Sequence, residues 1–276
     1  MHNPNFIVHT ITGYINNIFL LEYESGMLLF DTGVLGDTEQ IVEYCTGTLN
    51  RPVTDIKLIV VSHIHPDHAG GAGKLRKKYG IPVAAHQDID TWYRGVAGSI
   101  QHALDCYLVQ IVAKRYRDSV KRVFFRKKIN PDIILNNNDV LPFYPEWRVI
   151  HAPGHTLHHI VLYHEGEGIL FLPDLIVEVK GQYQLPIPVF FKGVMKSSYE
   201  ELSKLDIRRI LLPHGNEIVT DDASEIFKYM IELLDKPLNS IENYGYRMSV
   251  FTPELWKARL RKWRRTRAIR DNELKN

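Results

Sequence analysis

Short apolar runs, each too brief for a helix, recur through the first 220 residues. Phe6-Ile7-Val8, Ile18-Phe19-Leu20-Leu21-Glu22-Tyr23 and Met27-Leu28-Leu29-Phe30 predict strands, with Glu24-Ser25-Gly26 as the hairpin turn between the last two. Ile56-Lys57-Leu58-Ile59-Val60-Val61, Pro82-Val83-Ala84-Ala85, Trp147-Arg148-Val149-Ile150, Ile160-Val161-Leu162-Tyr163, Gly168-Ile169-Leu170-Phe171-Leu172 and Arg209-Ile210-Leu211-Leu212 continue the series. Runs this apolar and this short are the mark of strands covered on both faces. His164-Glu165-Gly166-Glu167 predicts a hairpin turn, and Asn136-Asn137-Asn138-Asp139 another turn.

Helical signals fall between these runs. Asp37-Thr38-Glu39-Gln40 predicts a capping box opening a helix to Leu49, and Lys74 to Tyr79 a short helix stopped by Gly80. Ser198-Tyr199-Glu200-Glu201 predicts a second box, and Asp222 to Leu234 a further helix. Thr252-Pro253 predicts a last one, whose Trp256, Leu260 and Trp263 form a docking face. Between residues 89 and 130, Leu104, Leu108, Ile111, Val112, Tyr116, Val120, Val123 and Phe124 recur at helical spacing. They predict one long amphipathic helix, or two with a break, serving as core, dimer contact or substrate lid. Gln182 to Phe191 has no periodicity and is expected to be a loop at the site mouth.

This alternation gives an α/β class. No linker divides the 276 residues, so one domain over 1–276 is expected: a core at 6–220, a helical insertion at 89–130 and C-terminal helices at 221–276. The hydrophobic share of 45% is ample for a core, and a net charge of +2 points to no particular partner. That charge is uneven, however. Lys114 to Lys128 carries eight Lys/Arg against one acid, and Glu254 to Asn276 nine against three. Solvated helix faces are the plain reading; an anionic substrate, a membrane surface or nucleic acid is the other. Cys45 and Cys106 do not make a disulfide framework, so a reducing, cytoplasmic setting is expected. The first residues lack the basic start of a secretion signal, and no apolar run reaches membrane-spanning length.

The chemistry concentrates in Ser62-His63-Ile64-His65-Pro66-Asp67-His68, on the turn after a predicted buried strand. Imidazole and carboxylate are ligands for zinc and its neighbours. His63 and His65, two apart, can grip one ion, leaving Asp67 and His68 for a second. The remaining candidates, His155, Asp174 and His214, also follow strand ends. Metal-competent residues at four strand ends are hard to explain as packing.

The string H-x-H-x-D-H, with Pro153-Gly154-His155-Thr156, the strand-end Asp174 and Pro213-His214-Gly215, resembles the metallo-β-lactamase-fold superfamily, and in size and motifs its glyoxalase II-like and lactonase-like members. The resemblance implies a four-layer αβ/βα sandwich with metals at one edge. It implies that His63, His65 and His155 bind one divalent ion, that Asp67, His68 and His214 bind another, and that Asp174 bridges them. Zinc is the default, with iron or manganese also compatible. Asp31, in Asp31-Thr32-Gly33, would support ligands from behind, or serve only as a turn acid. His86, His151, His158 and His159 would not be ligands. The implied reaction is hydrolysis by a metal-bridging hydroxide that Asp67, the catalytic residue, would orient while shuttling a proton.

A small acyl substrate is the first expectation: a thioester, lactone or ester. The alternatives are a phosphodiesterase or nuclease of the same fold, a mononuclear iron persulfide dioxygenase, and a non-enzymatic DNA- or membrane-binding scaffold with a vestigial site. Two departures stand out. Pro173 replaces the usual Gly before the bridging Asp, and Val177 stands where lactonases often carry Tyr, with Tyr183 as the nearest substitute. A homodimer is compatible with the chain, and nucleic acid is a minor expectation.

Overall fold

The computed structural model describes residues 5–237 except Tyr116, Asp118, Ser119 and Phe190. The predicted helix at Thr252-Pro253, with Trp256, Leu260 and Trp263, lies outside the described residues.

Two six-stranded sheets stand face to face. The first holds, in order, β1 (Phe6–Thr12), β2 (Asn17–Tyr23), β3 (Gly26–Phe30), β4 (Ile56–Val61), β5 (Val83–His86) and β6 (Ile133–Leu135). β1 to β3 form an antiparallel meander, and β3 to β6 run parallel. The second sheet comprises β7 (Val140–Leu141), β8 (Tyr144–His151), β9 (Ile160–His164), β10 (Ile169–Phe171), β13 (Arg209–Leu211) and β14 (Ile218–Val219). Between them in sequence, β11 (Val177–Val179) and β12 (Gln182–Gln184) make a separate hairpin. So the first residues of the expected 182–191 loop are a strand.

The apolar runs are continuous because both faces of each sheet are covered. On β2, Phe19, Leu21 and Tyr23 point into the gap between the sheets, where they meet Phe30, Trp147, Leu162 and Phe171. Ile18 and Leu20 point the other way, toward Ile41 and Leu75 on the outer helices α1 (Thr38–Glu43) and α3 (Ala72–Tyr79). Behind the second sheet, α5 (Lys192–Leu202) and α6 (Ser224–Asp235) cover Val161, Leu170 and Ile210 with Met195, Tyr199, Phe227 and Met230. Trp147 is fully buried between the sheets, and its indole N–H donates to the Tyr23 hydroxyl at 2.8 Å. The result is the expected four-layer sandwich.

Two expected helix starts differ. The first helix begins a turn early, in a 3-10 turn at Leu35–Asp37. Asp37 is therefore the residue that reaches back, accepting from the Val34 N–H at 2.9 Å and the Tyr14 N–H at 3.1 Å. The turn continues past α1 through Tyr44–Thr48 as expected. Ser198 opens no helix: it lies inside α5, where its hydroxyl donates to the Pro153 carbonyl at 2.7 Å. A Ser with an acid three residues on resembles a box in sequence, but the preceding residues are already helical.

The interval at 89–130 contains, among its described residues, a 3-10 turn at Ile89–Thr91, one α-helix, α4 (Gly95–Ala113), and no regular element after that. Cys106, Val109 and Ala113 face inward and pack with Tyr14, Val34 and Val123. Leu104, Leu108 and Ile111 are only half-buried, and Val112, Val120 and Phe124 are exposed. A helix apolar around most of its circumference gives a periodicity that does not say which face is inner. The basic segment that follows is partly tied down. Lys121 binds Asp37 at 2.7 Å and Gln40 at 2.6 Å, and Arg117 donates to the carbonyls of Gly13 and Tyr14. Among the described residues, no helix is long and apolar enough to cross a membrane.

Candidate metal centre

β8, β10 and β13 run in one direction, as do β3, β4 and β5, so their C-terminal ends meet along one edge of the sandwich. Two backbone hydrogen bonds join the sheets there: Ile160 N–H to Ser62 O at 3.1 Å and Asn17 N–H to Pro213 O at 2.7 Å. The turn after β4 carries His63 and His65 and then folds into α2 (Pro66–Ala69), with Pro66 at its start, where a missing N–H costs nothing. At Gly70 the chain passes so close to Pro66 O and Leu35 N that a Cβ would lie 2.3 and 2.7 Å from them. That contact presses α2 into place.

All seven candidate residues come together, in two groups. His63, His65, His155 and Asp174 form one; Asp67, His68 and His214 form the other. In the first, His65 Nδ1 lies 3.1 Å from His63 Nε2 and 2.9 Å from His155 Nε2. Asp174 Oδ2 lies 3.6 Å from His63 Nε2 and 3.4 Å from His155 Nε2. Its other oxygen, Oδ1, faces the second group, 3.1 Å from His68 Nε2 and 3.3 Å from His214 Nε2. Asp67 Oδ2 completes that group at 3.1 Å from His214 Nε2 and 3.6 Å from His68 Nε2.

These residues fit two divalent cations. Bonds of roughly 2.0–2.1 Å in a tetrahedral site put neighbouring ligand atoms about 3.3 Å apart, in the middle of the observed spread. The buried His68 Nε2 and Asp174 Oδ1 have no hydrogen-bond partner, although each faces the other group members. Acceptor atoms gathered this tightly repel one another unless positive charge lies among them.

The protein holds these groups from behind. Asp31, at the end of β3, accepts from the Ser62 N–H at 2.8 Å, the Ser62 hydroxyl at 2.7 Å and His68 Nδ1 at 2.7 Å. That bond leaves His68 Nε2 to face the centre. Pro188 O lies 3.2 Å from His155 Nδ1 and plays the same part, so the 182–191 segment does reach the site. Asn16 donates its side-chain amide to Asp67 O at 2.5 Å, and Thr32 donates its hydroxyl to His68 O at 2.9 Å. Asp31 and Asp174 both have left-handed backbones, at φ 57° and 38°. Asp tolerates this region better than most residues, and such strain gathers at functional sites.

The other histidines stand outside both groups. His158 accepts the Ile64 N–H at 3.2 Å beneath the metal turn, and His159 bonds Ala152 O. His86 and His151 stack at 4.5 Å. His102 lies among Tyr93, Phe124 and Phe125, and Tyr107 is exposed. Tyr183 packs against the outer core of the second sheet. One residue was missed by the sequence reading. Asp105, on α4, has its Oδ2 4.0 Å from His65 Nε2. Its signal was available: it is the only acid between Gly95 and Ala113.

Burial, together with the neighbouring imidazoles, drives the His63 pKa well below its ordinary value and that of His65 down to about 3. His155 is lowered mainly by burial. All three stay neutral, the form that binds metal. Burial opposes the charged forms of His68 and His214, but the carboxylates around them win and raise both. Asp174 and Asp67 are held down against burial by these same two histidines. Burial also pushes Asp105 up to about 7.

A pH profile follows for the metal-stripped protein. His63, His65, His155, His158 and His159 are depressed on folding, so the unfolded chain takes up protons below about 6.5 that the folded one refuses. Stability therefore falls as pH drops from there. Asp67 and Asp174 add to the loss only below their ordinary carboxylate values. His68 and His214 are raised, so what they contribute is complete below about 6.5 and is lost as pH rises. The urea midpoint of chelator-treated protein, followed by circular dichroism, should peak near neutrality and fall on both sides. A flat profile from mildly acid to mildly alkaline pH would contradict these assignments.

The model of the metallo-beta-lactamase superfamily matches residues 11–219. Among curated proteins, the Beta-lactamase-like protein 2 homolog of Drosophila melanogaster is 27% identical over 202 residues, 73% of this chain but only 59% of that protein. A hydroxyacylglutathione hydrolase of Bdellovibrio bacteriovorus is 22% identical over 238 residues, covering 78% of this chain and 76% of its own. Among solved structures, a metallo-beta-lactamase family protein of Thermus thermophilus superposes with a TM-score of 0.62 at 20% identity, over 83% of this chain and 79% of its own, a likeness of fold. The matched span contains every converging residue and all of both sheets except the first residues of β1, and the chain belongs to the metallo-β-lactamase superfamily.

Proposed function

We propose that this chain is a binuclear metal-dependent hydrolase that cleaves a small acyl substrate, a thioester, lactone or ester. The observation that carries the reading is the division of Asp174, with one oxygen toward each group of imidazoles. Zinc is the first expectation for both positions, and iron or manganese suits the same nitrogen and oxygen donors. Cations held there would supply an activated water nucleophile and polarise the scissile carbonyl.

The chain's own residues do the rest. His63, His65 and His155 present neutral nitrogens on one side; Asp67, His68 and His214 close the other. Asp67 keeps its charge beside His68 and His214, so it can orient the attacking water and take its proton. The two cysteines do not compete as nucleophiles. Cys45 and Cys106 are free and buried, and burial pushes their thiols up to about 11 and about 12. Two reduced cysteines also support a cytoplasmic setting.

The acyl class draws support from the Bdellovibrio relative, a hydroxyacylglutathione hydrolase. Tyr183, packed in the outer core, does not support a lactonase-type tyrosine. Phosphodiester cleavage is the second reading, favoured by the exposed Lys114, Arg115, Arg122, Arg126 and Lys128. The test is a matched panel of thioesters, lactones, simple esters and a phosphodiester, offered to zinc- or manganese-reconstituted protein. Turnover of a carbon ester or thioester is expected. Phosphodiester turnover alone would reverse the ranking. A single tightly held iron with no hydrolysis of any kind would point to the dioxygenase instead.

A further inference from the structure

Besides Asp31, which stands behind His68, Asp105 is a largely buried carboxylate near the centre that belongs to neither group. It comes from α4, in the insertion, and its side chain is 12% exposed. Tyr93 donates its hydroxyl to Oδ2 at 2.7 Å, and Gln101 donates its amide to Oδ1 at 2.7 Å. Both donors are neutral and are themselves 1% exposed. Both hydrogen bonds fix the orientation of the carboxylate and favour its ionised form, against the burial that pushes it up to about 7. The nearest imidazole is His65, whose Nε2 lies 4.0 Å from Oδ2.

His65 uses its nitrogens unequally. Nδ1 faces His63 and His155, so it is the nitrogen offered to a cation. The proton of the neutral ring must then be on Nε2, toward Asp105. Ligating imidazoles commonly have a carboxylate or carbonyl behind the second nitrogen, which fixes the tautomer and raises the basicity of the first. His68 has Asp31 in that position, and His155 has Pro188 O. Without Asp105, His65 would be the exception among these three. At 4.0 Å the contact is charge to N–H dipole rather than a hydrogen bond.

We propose that Asp105 is a positioning residue for His65, through which the insertion helix sets the metal affinity of the His63-His65-His155 group. The inference rests on the metal-centre reading. It also gives α4 a purpose beyond packing: movement of this helix would change how tightly one of two ions is held.

The test is titration of the stripped full chain with Co2+ against a chromophoric chelator, with the visible spectrum recorded at each step. The wild type should take up two equivalents. Asp105→Asn and Asp105→Ala should each weaken one equivalent by about 10- to 100-fold and shift its absorption, leaving the other unchanged. Tyr93→Phe, which removes a donor to Asp105 without touching His65, should do the same to a smaller extent. Asp105→Asn is nearly isosteric and keeps the test open if the alanine variant does not fold. Equal binding of both equivalents by folded variants overturns the proposal, and so does equal loss of both, which would mean a merely structural role. A wild type that takes up no cobalt overturns the metal centre itself.

Discussion

Asp174→Ala should lower turnover of the best acyl substrate by about a thousandfold or more, since a clamp by two cations supplies several kcal/mol of transition-state stabilisation. The reason lies in its geometry. Asp174 is the single side chain shared by both groups, 3.4 Å from His155 Nε2 through one oxygen and 3.1 Å from His68 Nε2 through the other. Its removal takes a negative charge from two positions at once. It also leaves the raised His68 and His214 facing each other with one carboxylate fewer. Metal content measured by atomic emission should fall in parallel with activity. A variant with full metal content and near-normal turnover would remove Asp174 from the mechanism and with it the binuclear reading.

Asp31→Ala should be the most damaging change away from the ions. Asp31 is 1% exposed and accepts from the Ser62 N–H, the Ser62 hydroxyl and His68 Nδ1. Alanine strands all three, and removing one partner from a buried charged pair costs about 3–5 kcal/mol. It also forces a residue less tolerant of left-handed backbone into φ 57°. For a domain of this size that means a melting temperature lower by roughly 10 °C or more. Asp31→Asn keeps the shape and some of the hydrogen bonds, and should recover part of the stability but not of the cation affinity on the His68 side. Thermal melts with and without zinc separate the two effects. A melting temperature within a degree or two of wild type would mean that Asp31 is an ordinary turn acid.

Much of this was legible in the chain. The strands could be read because sheets covered on both faces demand unbroken apolar runs, as in Ile56 to Val61 and Ile160 to Tyr163. The turns could be read because Gly, Pro, Asn and Asp punctuate them. His63, His65, Asp67 and His68 stood out because imidazoles packed into a turn after a buried strand have little structural use, and His155, Asp174 and His214 because each follows a strand end in a motif that resembles the family's. Helix starts were less secure. Ser198-Tyr199-Glu200-Glu201 has the residues of a capping box but lies inside α5, where Ser198 instead ties the helix to Pro153. The inner face of α4 was unreadable from periodicity, because Leu104, Leu108 and Ile111 compete with Cys106, Val109 and Ala113 on a helix apolar nearly all round.

What the sequence determined by itself was local: which segments could be strands, where the chain turns, and which side chains carry metal chemistry. Only the tertiary structure decided their company. It divided Asp174 between two groups, put Asp31 behind His68, and brought Asp105 from an inserted helix to within 4.0 Å of His65, a residue forty positions earlier. Such pairings depend on how two sheets meet along one edge and on which face of α4 is inner. Both follow from packing between segments far apart in the chain, and no local pattern encodes them.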